Sequence, residues 1–333
     1  MLHGQLERLV IESRLLSGNP LGDPHRRELF VYTPPGYGDG GRYPLVMMLA
    51  GYAATHRSIF GFHAFEANTL ERLDAQIVRG ECPATILVLP DAMNRWGGSQ
   101  YLDSDATGAY QSYLVEEVLP LVDARFRSLP QAESRAVVGR SSGGFGALRL
   151  VMDRPGIFGA LASHAGDAAF DETMRPMLTQ AAIAYDRAGG VERFAEQLVE
   201  GGPGDGLDFD GAFILAASAA YAPEMDRPMP HTRPPFDPRT AEIDPERWGR
   251  WLAQDPLRRI DASAEALRGL RLIFLDAGGR DEHGLQFAAR RLASALRELG
   301  AQVVHEEFEG GHRGTSYRYS TSLPAILEVL ERE

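Results

Sequence analysis

Gly139-Arg140-Ser141-Ser142-Gly143 sets Ser141 midway between two glycines, with a short apolar run before it and an apolar helix pattern after it. Ser134 to Val138 reads as a strand, and Phe145 to Met152 reads as a helix closed by Asp153-Arg154-Pro155. Strand, G-x-S-x-G and helix in that order define a nucleophile elbow, a sharp turn that lifts a serine hydroxyl clear of the backbone. The glycines have a steric purpose there: side chains at 139 and 143 would collide with the flanking strand and helix. The motif marks Ser141 as a candidate nucleophile.

A serine hydroxyl needs a base to take its proton, and the base needs an acid to orient it. With an elbow of this kind the chain order is serine, acid, histidine. Of nine histidines, His312 lies in Glu309-Gly310-Gly311-His312, directly after the strand pattern Gln302–Phe308. That is where open α/β sheets place their sites. His283 is the weaker rival. His305 falls inside a strand and reads as structural. His56 and His63 read as surface or helix-start residues. Three carboxylates follow the penultimate strand pattern: Asp276, Asp281 and Glu282. Asp281, at the far end of a glycine turn, is favoured as the acid, with Asp276 expected to hold that turn. The oxyanion donors are expected to be the backbone N–H groups of Ser142 and Tyr52, because Gly51 lets the chain turn and present the second. A histidine base with an ordinary pKa near ~6.5 predicts activity that rises through neutral pH.

These residues require a sheet to position them. The runs Leu6–Leu16, Glu28–Thr33, Tyr43–Ala50, Ala84–Pro90, Phe158–His164, Arg271–Asp276 and Gln302–Phe308 read as strands. Helix patterns at Phe62–Arg79, Tyr110–Arg127, Gly284–Leu299 and Ser322–Arg332 alternate with them. Such alternation predicts an α/β fold with a mainly parallel sheet and helices on both faces. Residues 167–264 carry no strong strand pattern. They hold helix patterns at Thr173–Ala188 and Val191–Glu200, and a span with six prolines from Tyr221 to Arg239. They are expected to form a cap inserted into a single domain spanning 1–333. Some of the cap's apolar side chains are expected to line a pocket and most to form its own small core.

Composition narrows the function classes. The net charge of −12 disfavours nucleic acid as a partner. No apolar run approaches the ~20 residues of a membrane span, so no membrane partner is expected. The N-terminus shows no basic start followed by an apolar core, so no secretory signal is visible. The one cysteine, Cys82, reads as a small buried hydrophobe and excludes an intrachain disulfide. A reducing, cytoplasmic compartment fits that usage. All 34 basic residues are arginine, which excludes lysine Schiff bases and P-loop lysines. There is no H-E-x-x-H and no G-x-G-x-x-G after a first strand, so neither a metal nor a cofactor is expected.

With these pieces placed, the chain resembles the esterase family that includes esterase D (S-formylglutathione hydrolase), the enterochelin esterases and the antigen 85 mycolyltransferases. The resemblance runs from Arg26 to Arg318. It rests on Leu45–Tyr52, Gly97–Ser104, Leu114–Arg127, Gly139–Gly144, Asp276–Glu282 and Glu309–His312. It implies an α/β-hydrolase fold and a Ser141, Asp281, His312 triad. The oxyanion turn departs from the relatives: Ala50-Gly51 stands where they often carry His-Gly or Asp-Gly. Ser142 replaces a frequent methionine, and the cap is longer than in the simplest members. The expected function is cleavage of small-molecule carboxylic esters through an acyl-enzyme. Acyl transfer and amide or peptide cleavage are the alternatives, and a non-catalytic binding protein is the last.

Overall fold

A computed structural model describes residues 2–61 and 64–332. The described residues form one eight-stranded sheet. Its strands are β1 (Gln5–Glu12), β2 (Arg26–Thr33), β3 (Leu45–Leu49), β4 (Ile86–Pro90), β5 (Arg135–Arg140), β6 (Ala160–His164), β7 (Leu272–Gly278) and β8 (Val303–Phe308). The spatial order is β1-β2-β4-β3-β5-β6-β7-β8. Only β2 runs against the rest, pairing antiparallel with β1 and β4. Every other pair is parallel. Strands β3 and β4 are buried at every position, as their unbroken apolar runs require when helices cover both faces.

The helices that matter for the site are α1 (Thr69–Val78), α2 (Ser142–Asp153), α3 (Arg175–Ala188), α4 (Val191–Gly201), α5 (Gly206–Tyr221), α6 (Pro245–Leu252), α7 (Leu285–Glu298) and α8 (Tyr319–Val329). Helix α1 begins later than its sequence pattern suggests. Asn68 and Glu71 close a reciprocal capping box at its start, which satisfies two N–H groups that would otherwise lack partners. Phe62, the expected start, and His63 lie outside the described residues. The stretch expected as one helix over Tyr110–Arg127 is helical from Tyr110 to Arg125 and contains a π segment at Tyr113–Val118.

Within residues 167–264 there is no strand of the main sheet; helices α3 to α6 fill the segment. Two of them, α5 and α6, lack a clear signal in the sequence. Most of the buried apolar side chains of this segment pack on one another, Phe170, Tyr185, Tyr221, Phe236, Trp248 and Trp251 among them. Elbow-helix Phe145 and the loop residues Trp96 and Leu102 join that cluster and tie it to the sheet. Met225 and Met229, two apolar side chains of the same segment, are exposed and outside that core.

Candidate active site

Gly139 is the penultimate residue of β5 and lies against the first turn of α2. A Cβ at Gly139 would lie 2.2 Å from the Gly143 carbonyl oxygen, and a Cβ at Gly143 would lie 2.3 Å from that of Leu49. Both positions therefore exclude any side chain. Between them Ser141 is forced to φ 56°, ψ −125°, a conformation costing an ordinary residue on the order of 1–3 kcal/mol. Surrounding bonds hold it there. The Ser141 N–H donates to His164 O at 2.9 Å, and its own carbonyl accepts the Phe145 N–H at 2.9 Å.

The three residues singled out from separate parts of the chain meet at this turn. His312 Nε2 lies 3.1 Å from Ser141 Oγ, and His312 Nδ1 lies 2.8 Å from Asp281 Oδ2. Asp281 Oδ1 accepts the His283 N–H at 2.9 Å, which fixes the carboxylate. Burial pushes the Asp281 carboxyl up, but the His312 ring and the N–H groups of His283 and Leu285 outweigh it and hold the pKa below its ordinary value. Glu282, the other acid weighed for the role, instead accepts the His312 N–H at 2.6 Å. His283 sets its ring edge-on against His312, with centroids 4.9 Å apart. Burial and the neighbouring His312 both lower the His283 pKa.

Tyr52 and Ser142 flank the serine. Tyr52 donates its hydroxyl to Trp96 O at 2.7 Å and packs edge-on against Phe209 and Phe213. Burial pushes its phenol pKa up, so the hydroxyl stays a donor. The next N–H along, from Ala53, is taken by Gly97 O at 2.9 Å. The Tyr52 N–H has no acceptor among the described residues. The Ser142 N–H opens the first turn of α2, where helix N–H groups have no internal partner.

Other expectations resolve differently. Asp276 does not hold the turn after β7. Its carboxylate accepts from His164 Nδ1 at 2.7 Å and Arg318 Nε at 2.8 Å, deep in the core. His56 does start a 3₁₀ turn, but it is buried rather than at the surface, with Nε2 3.2 Å from Glu28 Oε1. His305 lies within β8 and Cys82 is buried, as expected. Burial pushes the Cys82 thiol up to about 12, which keeps it protonated.

Ser141, His312, Tyr52 and Gly51 line a cavity of about 320 Å³. Its apolar wall is Met174, Met177, Phe209, Phe213 and Leu285. Arg140, Arg313 and Asp167 also line it, and none of them stands among the residues expected at the site. Arg140 had a signal, since it occupies a variable position of the elbow motif. Its guanidinium donates to His312 O at 3.0 Å and Thr315 Oγ1 at 3.2 Å, anchoring the histidine loop. Among the described residues no group of His, Cys, Asp and Glu is arranged to hold a metal ion.

Comparison with known proteins agrees with this architecture. Esterase Rv1288 of Mycobacterium tuberculosis is 28% identical over 140 residues, 41% of this chain and 28% of that protein. The chain thus matches less than a third of the length of that relative. Among solved structures, a ferulic acid esterase superposes with a TM-score of 0.63 at 16% identity, covering 99% of this chain and 100% of that one. An S-formylglutathione hydrolase from Agrobacterium tumefaciens gives 0.59 at 15% identity, covering 99% and 97%. These likenesses show the α/β-hydrolase fold. Residues 24–328 match the Putative esterase family, and the chain belongs to that family.

Proposed function

We propose that this protein hydrolyses carboxylic esters through an acyl-enzyme formed on Ser141. The observation that carries the reading is the chain of contacts from Asp281 through His312 to a serine on a strained elbow, opening into a cavity. Asp281 accepts a hydrogen bond from the Nδ1–H of His312, which leaves Nε2 free to take the Ser141 proton. Ser141 Oγ then attacks the ester carbonyl carbon. The Tyr52 and Ser142 N–H groups hold the developing oxyanion, the latter helped by the positive end of α2. His312 returns the proton to the leaving alcohol, then activates water to release the acid. Residues 167–264 act as a cap over the cavity and supply most of its apolar wall, which favours a partly apolar substrate. The buried single cysteine supports a cytoplasmic location. No helix of the described residues is long and apolar enough to cross a membrane.

A fluorophosphonate probe and a panel of esters test the reading. The wild type is expected to label at Ser141 and to turn over at least one ester. A folded protein that neither labels nor hydrolyses any ester would sink it.

A further inference from the structure

Asp167 follows β6 in the loop His164–Ala169, whose Ala165 and Ala169 are held at φ 45° and 54°. A Cβ at Gly166 would sit 2.9 Å from the Gly144 carbonyl carbon, so the loop is pressed against the elbow helix. This delivers Asp167 to the cavity beside Ser141. The residue is only 4% exposed. Among the described residues its one hydrogen-bond partner is the Ser142 hydroxyl, 3.2 Å from Oδ2.

Other buried carboxylates of the chain are well supplied. Asp255 accepts the N–H groups of Ala169, Phe170 and Leu257. Asp276 holds a histidine and an arginine. Asp281 holds His312 and the His283 N–H. A carboxyl has room for about four hydrogen bonds, and buried polar groups without partners are costly. Asp167 spends one and turns toward the cavity with the rest.

The environment selects what would complete it. Burial raises its pKa to about 7, against the pull of His312 and Ser142 and with a further push from Asp281. Both protonation states are then within reach near neutrality. A hydroxyl group satisfies either one, donating to the carboxylate or accepting from the acid. An ammonium group would face the cations Arg140 and Arg313 that also line the cavity. A carboxylate would face Asp167 itself.

We propose that Asp167 is a specificity-determining residue that selects esters carrying a hydroxyl group within a few bonds of the scissile carbonyl. The inference rests on the esterase reading above. Two matched pairs separate the possible positions of the hydroxyl: p-nitrophenyl butyrate against its β-hydroxybutyrate for the acyl side, and ethyl butyrate against hydroxyethyl butyrate for the alcohol side. Within one pair, kcat/KM for the wild type is expected to favour the hydroxylated ester by about 10- to 100-fold, the worth of one hydrogen bond to a buried carboxyl group. Asp167→Leu should bring that ratio close to one. Asp167→Asn, which can still donate and accept, should keep most of it. Asp167→Ala replaces the leucine variant should that one not fold. Equal kcat/KM within both pairs for the wild type, or a preference that survives in the leucine or alanine variant, would overturn the role of Asp167 while the esterase reading stands. Failure of the wild type to hydrolyse any of the four esters would overturn the role of Asp167, and the esterase reading falls with it only if the folded protein also fails to label with fluorophosphonate and to hydrolyse the wider ester panel.

Discussion

Two sets of serine, histidine and aspartate occur in this molecule, with nearly the same distances. At the cavity, His312 stands 2.8 Å from Asp281 and 3.1 Å from Ser141. In the core, His164 stands 2.7 Å from Asp276 and 2.8 Å from Ser322. The second set is sealed: His164, Asp276 and Ser322 are 3%, 1% and 0% exposed. Ser322 sits within helix α8, with no positive-φ turn and no neighbouring glycine to let a substrate approach. Arg318 binds Asp276 as well, so the inner carboxylate serves a cation that Asp281 lacks. Three side chains at hydrogen-bond distance therefore do not define a site for chemistry. Access, a strained elbow and unengaged N–H groups distinguish the outer set. The two sets are also joined. His164 O accepts the Ser141 N–H, and Asp276 O accepts the Ala165 N–H, so the inner set braces the strands that carry the outer one.

The sharpest way to break this contrast is to remove the outer serine. Ser141→Ala is expected to lower ester turnover by about 10⁴- to 10⁶-fold and to abolish fluorophosphonate labelling. Its melting temperature should change little, because the hydroxyl's partner, His312 Nε2, lines the cavity, where water can take its place. Turnover within tenfold of wild type would show that the outer set is as inert as the inner one. Asp281→Asn comes next. It leaves the size of the side chain unchanged but lets His312 adopt the wrong tautomer, and kcat should drop by about 10⁴-fold. Steady-state rates on the same ester measure both.

The outer set was legible in the sequence and the inner one was not. Ser141 announces itself through glycines that no other residue can replace, and its partners occupy loops after strands in a fixed chain order. Strands β3, β4 and β5 were legible because burial on both faces leaves unbroken apolar runs. The partners of Asp276 lie 112 and 42 residues away. His164 reaches it only because β6 and β7 place them side by side in register, and no local pattern encodes that pairing. Helix α5 escaped notice for a different reason. From Ala212 to Tyr221 it is buried on every side, so the apolar period that reveals a surface helix is missing. Asp167 looks like any loop aspartate until its burial is known.

The inner set should answer in stability rather than rate. Asp276→Asn leaves Arg318 without its buried carboxylate and weakens the hold on His164. It is expected to cost about 3 kcal/mol in urea unfolding, while the folded fraction still labels with fluorophosphonate. Loss of labelling in folded protein would mean the inner set does more than brace. Asp167 lies between the two sets in character, buried like one and facing the cavity like the other. Its folded pKa, about 7, is raised above the unfolded value near ~3.9. The folded state therefore holds the extra proton between these values. The stability this contributes is complete below pH ~4 and is lost as pH rises through about 7. Asparagine does not titrate. The stability of Asp167→Asn relative to wild type should thus climb across that window, by an amount on the order of 4 kcal/mol, and then level off. A difference that stays flat from acid to neutral pH would contradict the assignment.

Ser322→Ala gives the smallest effect and the most direct comparison with Ser141→Ala. It removes the same atom from a serine with the same kind of partner. Here the hydroxyl is buried and bonded to His164 Nε2, so its loss leaves a ring nitrogen without a partner in the core. That typically costs about 1 kcal/mol, and more if the nitrogen cannot find water. The ring stays in place through Asp276 and its edge-on contact with Tyr319 at 4.6 Å, so the backbone of β6 that receives the Ser141 N–H should not move. Ester turnover and labelling are accordingly expected to match wild type within about twofold, with a lowered urea midpoint as the sole change. A large loss of turnover in a folded Ser322→Ala protein would mean that the inner set controls the geometry of the elbow through His164, and that bracing and chemistry are not separable here.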